Sequence, residues 1–206
     1  QYAFDKCSSL KEIAIPKSVQ IIPYCCFYQC SSLKTVKIPN SVIKIGEGSF
    51  NGCSSLEKVT IPSTITVLKS NTFSGSSVKE LENHVFYQCS QLTDIKISSS
   101  ILTSIGSYAF SGCSSLKKIN LPSSLLAIGN YSFEKCASLN EITIPSSITE
   151  IEKHAFWGCT SLTKIIIPSS VTIIGNSAFE KCTSLTEISI PSSVTKCGKY
   201  IFTDCS

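Results

Sequence analysis

Cysteine and histidine carry the chemistry that is easiest to name in this chain of 206 residues, because both bind metals and cysteine also forms disulfides. The chain has 12 cysteines and 2 histidines. Nine of the cysteines recur at near-regular steps, namely Cys7, Cys30, Cys53, Cys89, Cys113, Cys136, Cys159, Cys182 and Cys205. A zinc site needs four converging ligands, and no Cys-x-x-Cys pair is present. The spacing therefore predicts a row of small thiols packed in a core.

The remaining cysteines and the histidines lie elsewhere in the same repeating pattern. Cys26 and Cys197 occupy positions where other repeats have small or aliphatic residues, which predicts burial, whereas Cys25 is the best candidate for an exposed reactive thiol. His84 and His154 have no neighbouring run of Asp or Cys that could build a triad, so we expect surface histidines. The chain contains no P-loop and no Gly-x-Gly-x-x-Gly. We therefore expect no enzyme, no cofactor and no metal.

These residues are positioned by a 23-residue unit that repeats along the chain and is plainest from Cys113 to Lys135. Counted from its Cys as zero, apolar residues stand at offsets 3, 6, 8, 12, 15 and 20, with Pro at offset 9. A period of this length indicates a solenoid, because one unit cannot bury its apolar face alone. The apolar pair at offsets 6 and 8 predicts a short strand that ends at the Pro, and stacked units predict a parallel sheet of about nine strands.

The other side of the unit follows a different pattern. Offsets 15, 19, 20 and 23 are apolar or small, as in Ile128, Ser132, Phe133 and Cys136, which suits about one and a half helical turns. Gly at offset 16 and a polar residue at 17 would form the turn and N-cap. Offset 11 is Ser or Thr throughout, and we expect this row of hydroxyls to satisfy backbone groups where each strand turns away.

The sequence pattern Leu-x-x-Ile-x-Ile-Pro-x-Ser-Val-x-x-Ile-Gly-x-x-Ala-Phe-x-x-Cys resembles the leucine-rich repeat of the BspA-like family, and the resemblance extends over essentially the whole chain. That family is the 23-residue class found in bacterial and protist surface proteins. The resemblance implies a right-handed, curved leucine-rich-repeat superhelix with strands on one side and short helical turns on the other. It also implies adhesion to host or extracellular-matrix proteins.

The pattern predicts one leucine-rich-repeat domain over residues 1–206, with about nine units. The unit that begins at Ser76 has only 13 residues before Cys89, and this truncation near 76–88 is either a tolerated deletion or a notch that shapes a binding surface. Both ends of the chain fall inside a unit and lack polar caps. We therefore expect a fragment of a longer protein, or end-to-end self-association through the uncapped ends.

Charge and hydropathy limit the kinds of partner that this chain can bind. All 18 basic residues are Lys, and the absence of Arg argues against sequence-specific binding of nucleic acid. No 18-residue apolar run is present, so we expect no membrane span in this segment. A sequon at Asn130-Tyr131-Ser132 favours a cell-surface or secreted location, whereas many free thiols favour the alternative of a cytoplasmic protein.

Two exposed rows could bind a protein partner. Offset 5 alternates in charge from Asp94 onward, which is either a structural charge ladder or part of a basic inner face. The candidate binding residues on that face are Lys34, Lys37, Lys58, Lys96, Lys118 and Lys164. A rival aromatic stripe lies on the opposite side and consists of Tyr108, Tyr131, His154, Trp157 and Tyr200. The predicted function is a non-catalytic protein-binding module, either a cell-surface adhesin or an intracellular scaffold.

Overall fold

The computed structural model describes residues 2–62, 80–81, 83–97 and 102–205, and shows a solenoid of short parallel strands. The strands are β1 (Glu12–Ala14), β2 (Ile21–Ile22), β3 (Thr35–Lys37), β4 (Lys44–Ile45), β5 (Lys58–Ile61), β6 (Glu80–Leu81), β7 (Asp94–Ile97), β8 (Ser104–Ile105), β9 (Lys118–Ile119), β10 (Ala127–Ile128), β11 (Glu141–Thr143), β12 (Glu150–Ile151), β13 (Lys164–Ile166), β14 (Ile173–Ile174), β15 (Glu187–Ser189) and β16 (Lys196–Cys197). Among the described residues no helix has the length and apolar character that a membrane crossing requires.

The main sheet has eight parallel strands in the order β1-β3-β5-β7-β9-β11-β13-β15, and we call its solvent side the strand face. Side chains alternate along each strand, so that in β11 Ile142 is buried while Glu141 and Thr143 are exposed. This is the period-2 burial that the sequence predicts. The sheet pairs β5 directly with β7, Lys58 opposite Asp94, although 36 residues separate these two positions (94 − 58). This accounts for eight strands in place of about nine.

The truncated unit contributes its strand to a different sheet. Its β6 pairs with β8 in one of three small sheets, which have the orders β2-β4, β6-β8-β10 and β12-β14-β16. The notch proposed near 76–88 lies partly outside the described residues, which exclude 63–79 and 82. The core continues across this region, because Phe50 stacks on Phe86 with ring centroids 5.6 Å apart.

The prediction of short helical turns is wrong, since none of the described residues is helical. The segment from offset 16 to 23, which we call the turn face, instead alternates two kinds of hydrogen bond. The N–H groups of Tyr131, Phe133 and Lys135 donate to the next unit at 2.7–3.0 Å, whereas those between them close turns within their own unit. Two residues per unit, such as Tyr131 at φ 57° and Lys135 at φ 56°, are left-handed, which a right-handed helix cannot contain.

The core is built from columns of identical residues. Nine Phe rings, from Phe4 to Phe202, form a continuous stack with centroid separations of 5.2–5.7 Å. Such ring pairs contribute about 0.5–1.5 kcal/mol beyond the burial of their apolar area. The predicted role of the hydroxyls at offset 11 is confirmed for Ser124 and Ser170, which donate to the carbonyls of Leu102 and Ile148 at 2.7 and 2.6 Å. Thr64 and Ser100 of the same row lie outside the described residues.

Candidate partner-binding surfaces

All six candidate lysines have exposed side chains on the strand face, where the parallel register fixes their neighbours. Lys118 lies between Asp94 and Glu141, and Lys164 lies between Glu141 and Glu187. The alternation of charge along offset 5 is therefore an alternation between adjacent strands, as the sequence predicts. Strands in a sheet lie about 4.8 Å apart, which brings opposite charges within reach of each other.

Two of the six lysines form ion pairs with carboxylates on the adjacent strand. Lys118 forms an ion pair with Glu141, and Lys164 forms one with Glu187 at 3.2 Å. These pairs are well exposed, so each contributes at most about 1 kcal/mol to stability. Their main effect is to neutralise the sheet from β9 to β15. The other four candidates, by contrast, have no carboxylate within 4.0 Å among the described residues, namely Lys34, Lys37, Lys58 and Lys96.

The unpaired lysines gather at the N-terminal half of the strand face. Up to Lys117 the described exposed side chains at offsets 4, 5 and 7 include six lysines and three carboxylates, namely Lys11, Glu12, Lys34, Lys37, Glu57, Lys58, Asp94, Lys96 and Lys117. A shallow depression of about 560 Å³ lies among them and is lined by Lys37 and Lys58 with Thr35, Asn40 and Thr60. This half of the face therefore offers ammonium, hydroxyl and amide groups to an anionic partner, whereas the C-terminal half is close to neutral.

The turn face carries a row of parallel rings formed by His84, Tyr108, Tyr131 and His154, which we call the ring row. Successive centroids are 4.8, 4.5 and 4.6 Å apart, with planes within 8° of parallel. The two central rings are therefore covered on both faces and offer only their edges to a partner. Sequence reasoning left His84 out of the stripe, although it stands five residues before Cys89 just as Tyr108 stands five before Cys113.

Two members of the predicted stripe lie apart from the ring row. Trp157 lies beside His154 with centroids 6.5 Å apart, and the ammonium groups of Lys135 and Lys181 sit 5.3 and 4.9 Å from its ring. Its indole also helps to lower the pKa of the Glu180 carboxyl, so that much of Trp157 already interacts with its own chain. Tyr200 is 66% exposed and is separated from His154 by the unit that carries Ser177.

The histidines have different surroundings. His84 Nδ1 lies 3.7 Å from Glu47. Burial, together with the charge of Lys153, lowers the pKa of His154, so this imidazole is neutral at pH 7. Within the described residues no three side chains of the His, Cys, Asp and Glu types are grouped as a metal site requires.

The cysteine row is buried from Cys30 to Cys182, as predicted, whereas Cys7 is exposed and Cys205 is half-buried. The row also has a second role. Seven members, from Cys30 to Cys182, have no exposed surface, and each thiol of the row from Cys30 onward donates to the carbonyl of a Phe in the preceding unit at 3.0–3.2 Å. Burial raises the pKa of these thiols, for example that of Cys30 to about 11, which keeps them protonated as donors. All twelve cysteines are unpaired in the structure.

Two predictions for single cysteines are wrong. Cys25 is only 7% exposed, because its left-handed backbone turns the side chain against the neighbouring unit, where it approaches Gly48. Cys197 is exposed, because it lies in β16, the edge strand of its sheet among the described residues. Position within the repeat determines the direction of a side chain, but the neighbouring unit determines whether it is covered.

The sequence matches the family described as BspA type Leucine rich repeat region over residues 1–82 and 79–206, with six copies. The chain belongs to this family. The fold is similar to the crystal structure of the leucine-rich repeat protein TpLRR of T. pallidum, with 27% identity, a TM-score of 0.74, and coverage of 86% of this chain and 78% of that chain.

Two further solved structures are similar. A leucine rich cell surface protein from Faecalibacterium prausnitzii shares 33% identity over 91% of this chain and 48% of its own, with a TM-score of 0.72. The pneumococcal vaccine antigen PcpA shares 26% identity over 95% of this chain and 55% of its own, with a TM-score of 0.56. This chain thus spans about half the length of those two proteins. A comparison with the curated proteins gives no match.

Proposed function

We propose that this chain is a non-catalytic protein-binding segment of a cell-surface protein, and that it binds an acidic partner through the N-terminal half of its strand face. The observation that carries the proposal is the group of lysines around the depression at Lys37 and Lys58, which have no carboxylate within 4.0 Å in the part of the chain that the structure describes. If the superhelix is right-handed and curved, as the repeat predicts, this sheet forms its inner face and can enclose part of a partner.

The surface location is supported by the description of the Faecalibacterium prausnitzii structure as a leucine rich cell surface protein. The alternative of a cytoplasmic scaffold was favoured by free thiols. Burial weakens that argument for the row from Cys30 to Cys182, because thiols with no exposed surface and a raised pKa are unreactive in either compartment, although Cys7 and Cys197 are exposed. Adhesion to a host or matrix protein is the form of binding that we propose for this surface.

The proposal predicts that charge reversal at Lys34, Lys37, Lys58 and Lys96 removes binding without unfolding the chain. Exposed single charges contribute little to stability, whereas together they raise the rate of association with an acidic partner. Binding to immobilised poly-glutamate and to a panel of purified extracellular-matrix proteins, measured by biolayer interferometry at low and high salt, should fall about tenfold or more in the quadruple Lys→Glu variant.

The matched control reverses four exposed lysines elsewhere, Lys6, Lys17, Lys196 and Lys199, and so has the same net charge of −4 (+4 − 8). It should bind at close to the wild-type level. Equal losses in the two variants would mean that only net charge matters. Full binding by the quadruple variant would show that the strand face is the wrong surface.

A further inference from the structure

An exposed aliphatic side chain lies in the C-terminal half of the strand face. Ile166 stands at offset 7 in β13 and is 67% exposed. The parallel register places it opposite Thr143 on β11 and Ser189 on β15, and both of these side chains are smaller. The flanks of Ile166 are therefore open. A single exposed apolar side chain is ordinary on a protein surface, and it is the surroundings of Ile166 that point to binding.

A second shallow depression, of about 570 Å³, lies beside this side chain over β11 and β13. Its lining combines aliphatic, hydroxyl, amide and charged groups and includes Asn140, Glu141, Thr143, Thr163, Lys164 and Ile166. All six of these side chains are exposed. The depression therefore has room for a side chain of a partner, and it has hydrogen-bonding groups along its edge.

The two charged groups at this depression are each paired on the side away from it. Glu141 and Lys164 lie opposite each other in the register, but among the described residues no ion pair joins them. Glu141 instead pairs with Lys118 on β9. Lys164 pairs with Glu187 on β15, at 3.2 Å. A carboxylate placed here would meet Glu141 and gain little, whereas an aliphatic side chain can cover Ile166 without separating an ion pair.

The strand face thus has two depressions of similar size and different chemistry. The one lined by Lys37 and Lys58 lies over β3 and β5, and the one at Ile166 lies four strands further along the same sheet. Four strand spacings amount to about 19 Å. An extended chain covers this distance with about six residues.

We propose that the depression at Ile166 binds one aliphatic side chain of an extended segment of the partner, and that an acidic residue about six positions away in that segment binds at Lys37 and Lys58. Leucine, isoleucine and valine have the shape and the chemistry for this site. The inference rests on the proposed function, because it is the acidic residue that places the segment on the strand face. The two depressions together then define the partner as a segment with one acidic and one aliphatic position at a fixed spacing.

The test uses fluorescein-labelled peptides and measures fluorescence anisotropy at low salt. The first peptide is Glu-Glu-Ser-Gly-Ser-Gly-Ser-Ile-Gly-amide, and its counterpart has Ser in place of Ile. Each is also made with the order of residues reversed, so that both directions across the sheet are covered. In one direction the Ile peptide should bind at least about fivefold more tightly than the Ser peptide, because apolar surface is covered at the second depression. A peptide with Ile only three residues from the nearest Glu should lose this advantage. Equal binding of the Ile and Ser peptides in both directions would overturn the inference.

Two variants locate the aliphatic side chain. Ile166→Thr keeps a β-branched residue in the strand and introduces the residue type that β11 has at the same offset, so the fold should be unchanged. This variant should bind the Ile peptide no more tightly than the Ser peptide. Leu126→Thr is the matched control, because Leu126 is 59% exposed but lies outside the main sheet. It should keep the fivefold preference.

The quadruple Lys→Glu variant separates this inference from the proposed function. It should lose both peptides, because both need the acidic end. If it does so while Ile166→Thr keeps the preference for the Ile peptide, the second depression is not the site and only this inference is wrong. If neither peptide binds to the unmodified chain, the proposed function and this inference both fail.

Discussion

The buried hydroxyl of Ser132 is expected to reduce the stability of the fold, so removing this hydroxyl should increase the stability. The side chain lies at offset 19, where Ala109, Ala155 and Ala178 occupy equivalent buried positions in other units. Ser132 is 0% exposed, and its hydroxyl has no hydrogen-bond partner. Ser49 stands at the same offset and is equally buried, but its hydroxyl bonds to the carbonyl of Gly46 and to that of Pro23 at 3.1 Å. The chain thus contains a matched pair of sites.

The two substitutions by Ala should have opposite signs. A buried polar group without a partner costs about 1–3 kcal/mol, so Ser132→Ala should stabilise the fold by about 1–2 kcal/mol. A satisfied hydrogen bond contributes about 0.5–1.5 kcal/mol, so Ser49→Ala should destabilise it by about 1 kcal/mol. In a chain of this size each kcal/mol shifts the melting temperature by about 2–4 °C.

Urea unfolding followed by circular dichroism measures both changes, provided that the slope of the unfolding free energy with urea is unchanged. The double variant should show the sum of the two effects, because the sites lie several units apart and share no partner. If Ser132→Ala destabilises the protein, the Ser132 hydroxyl has a hydrogen-bond partner and the reasoning is refuted. If both variants shift stability in the same direction by the same amount, stability does not depend on the hydrogen bonding of the hydroxyls at offset 19, and the reasoning again fails.

Two further predictions concern the thiols and the turn glycines. Ellman's reagent should react rapidly with the exposed Cys7 and Cys197, and it should reach the buried row only on denaturation, even at alkaline pH. The reason is that burial raises the pKa of thiols such as Cys30 and Cys182. Rapid reaction of most thiols in the native protein would contradict the packing. Gly129→Ala should destabilise the fold by about 2–3 kcal/mol, since the new Cβ would lie 2.7 Å from the Ser107 nitrogen. Gly158→Ala has no atom closer than 3.6 Å to its new Cβ. It should therefore destabilise the fold by only about 1 kcal/mol, because its backbone is left-handed. Equal losses in urea unfolding would contradict the proposed close approach of the backbones.

Much of the fold could be predicted because its information is local and repeats along the chain. The apolar pair at offsets 6 and 8 places Ile142 and Ile144 in the core, and the Pro that follows at Pro145 marks the end of the strand. The Ser column at offset 11 follows from the same count, and Ser147 donates to the Leu125 carbonyl as expected. Since stacked units place equal offsets next to each other, counting from each Cys also predicted the alternation of charge around Lys118.

The tertiary structure alone decided how each unit turns and which side chains are paired. The N–H groups of the turn face bond to the next unit, so Tyr131 and Lys135 adopt left-handed backbones where the spacing of apolar residues had suggested a helix. Pairing of β5 with β7 brings Phe86 onto Phe50 across an irregular stretch of sequence. The same contacts between units bury Cys25. The amino-acid sequence determined which offsets are buried, because burial repeats with the unit. Contacts between units depend on the side chains of the adjacent unit, and no single unit encodes these.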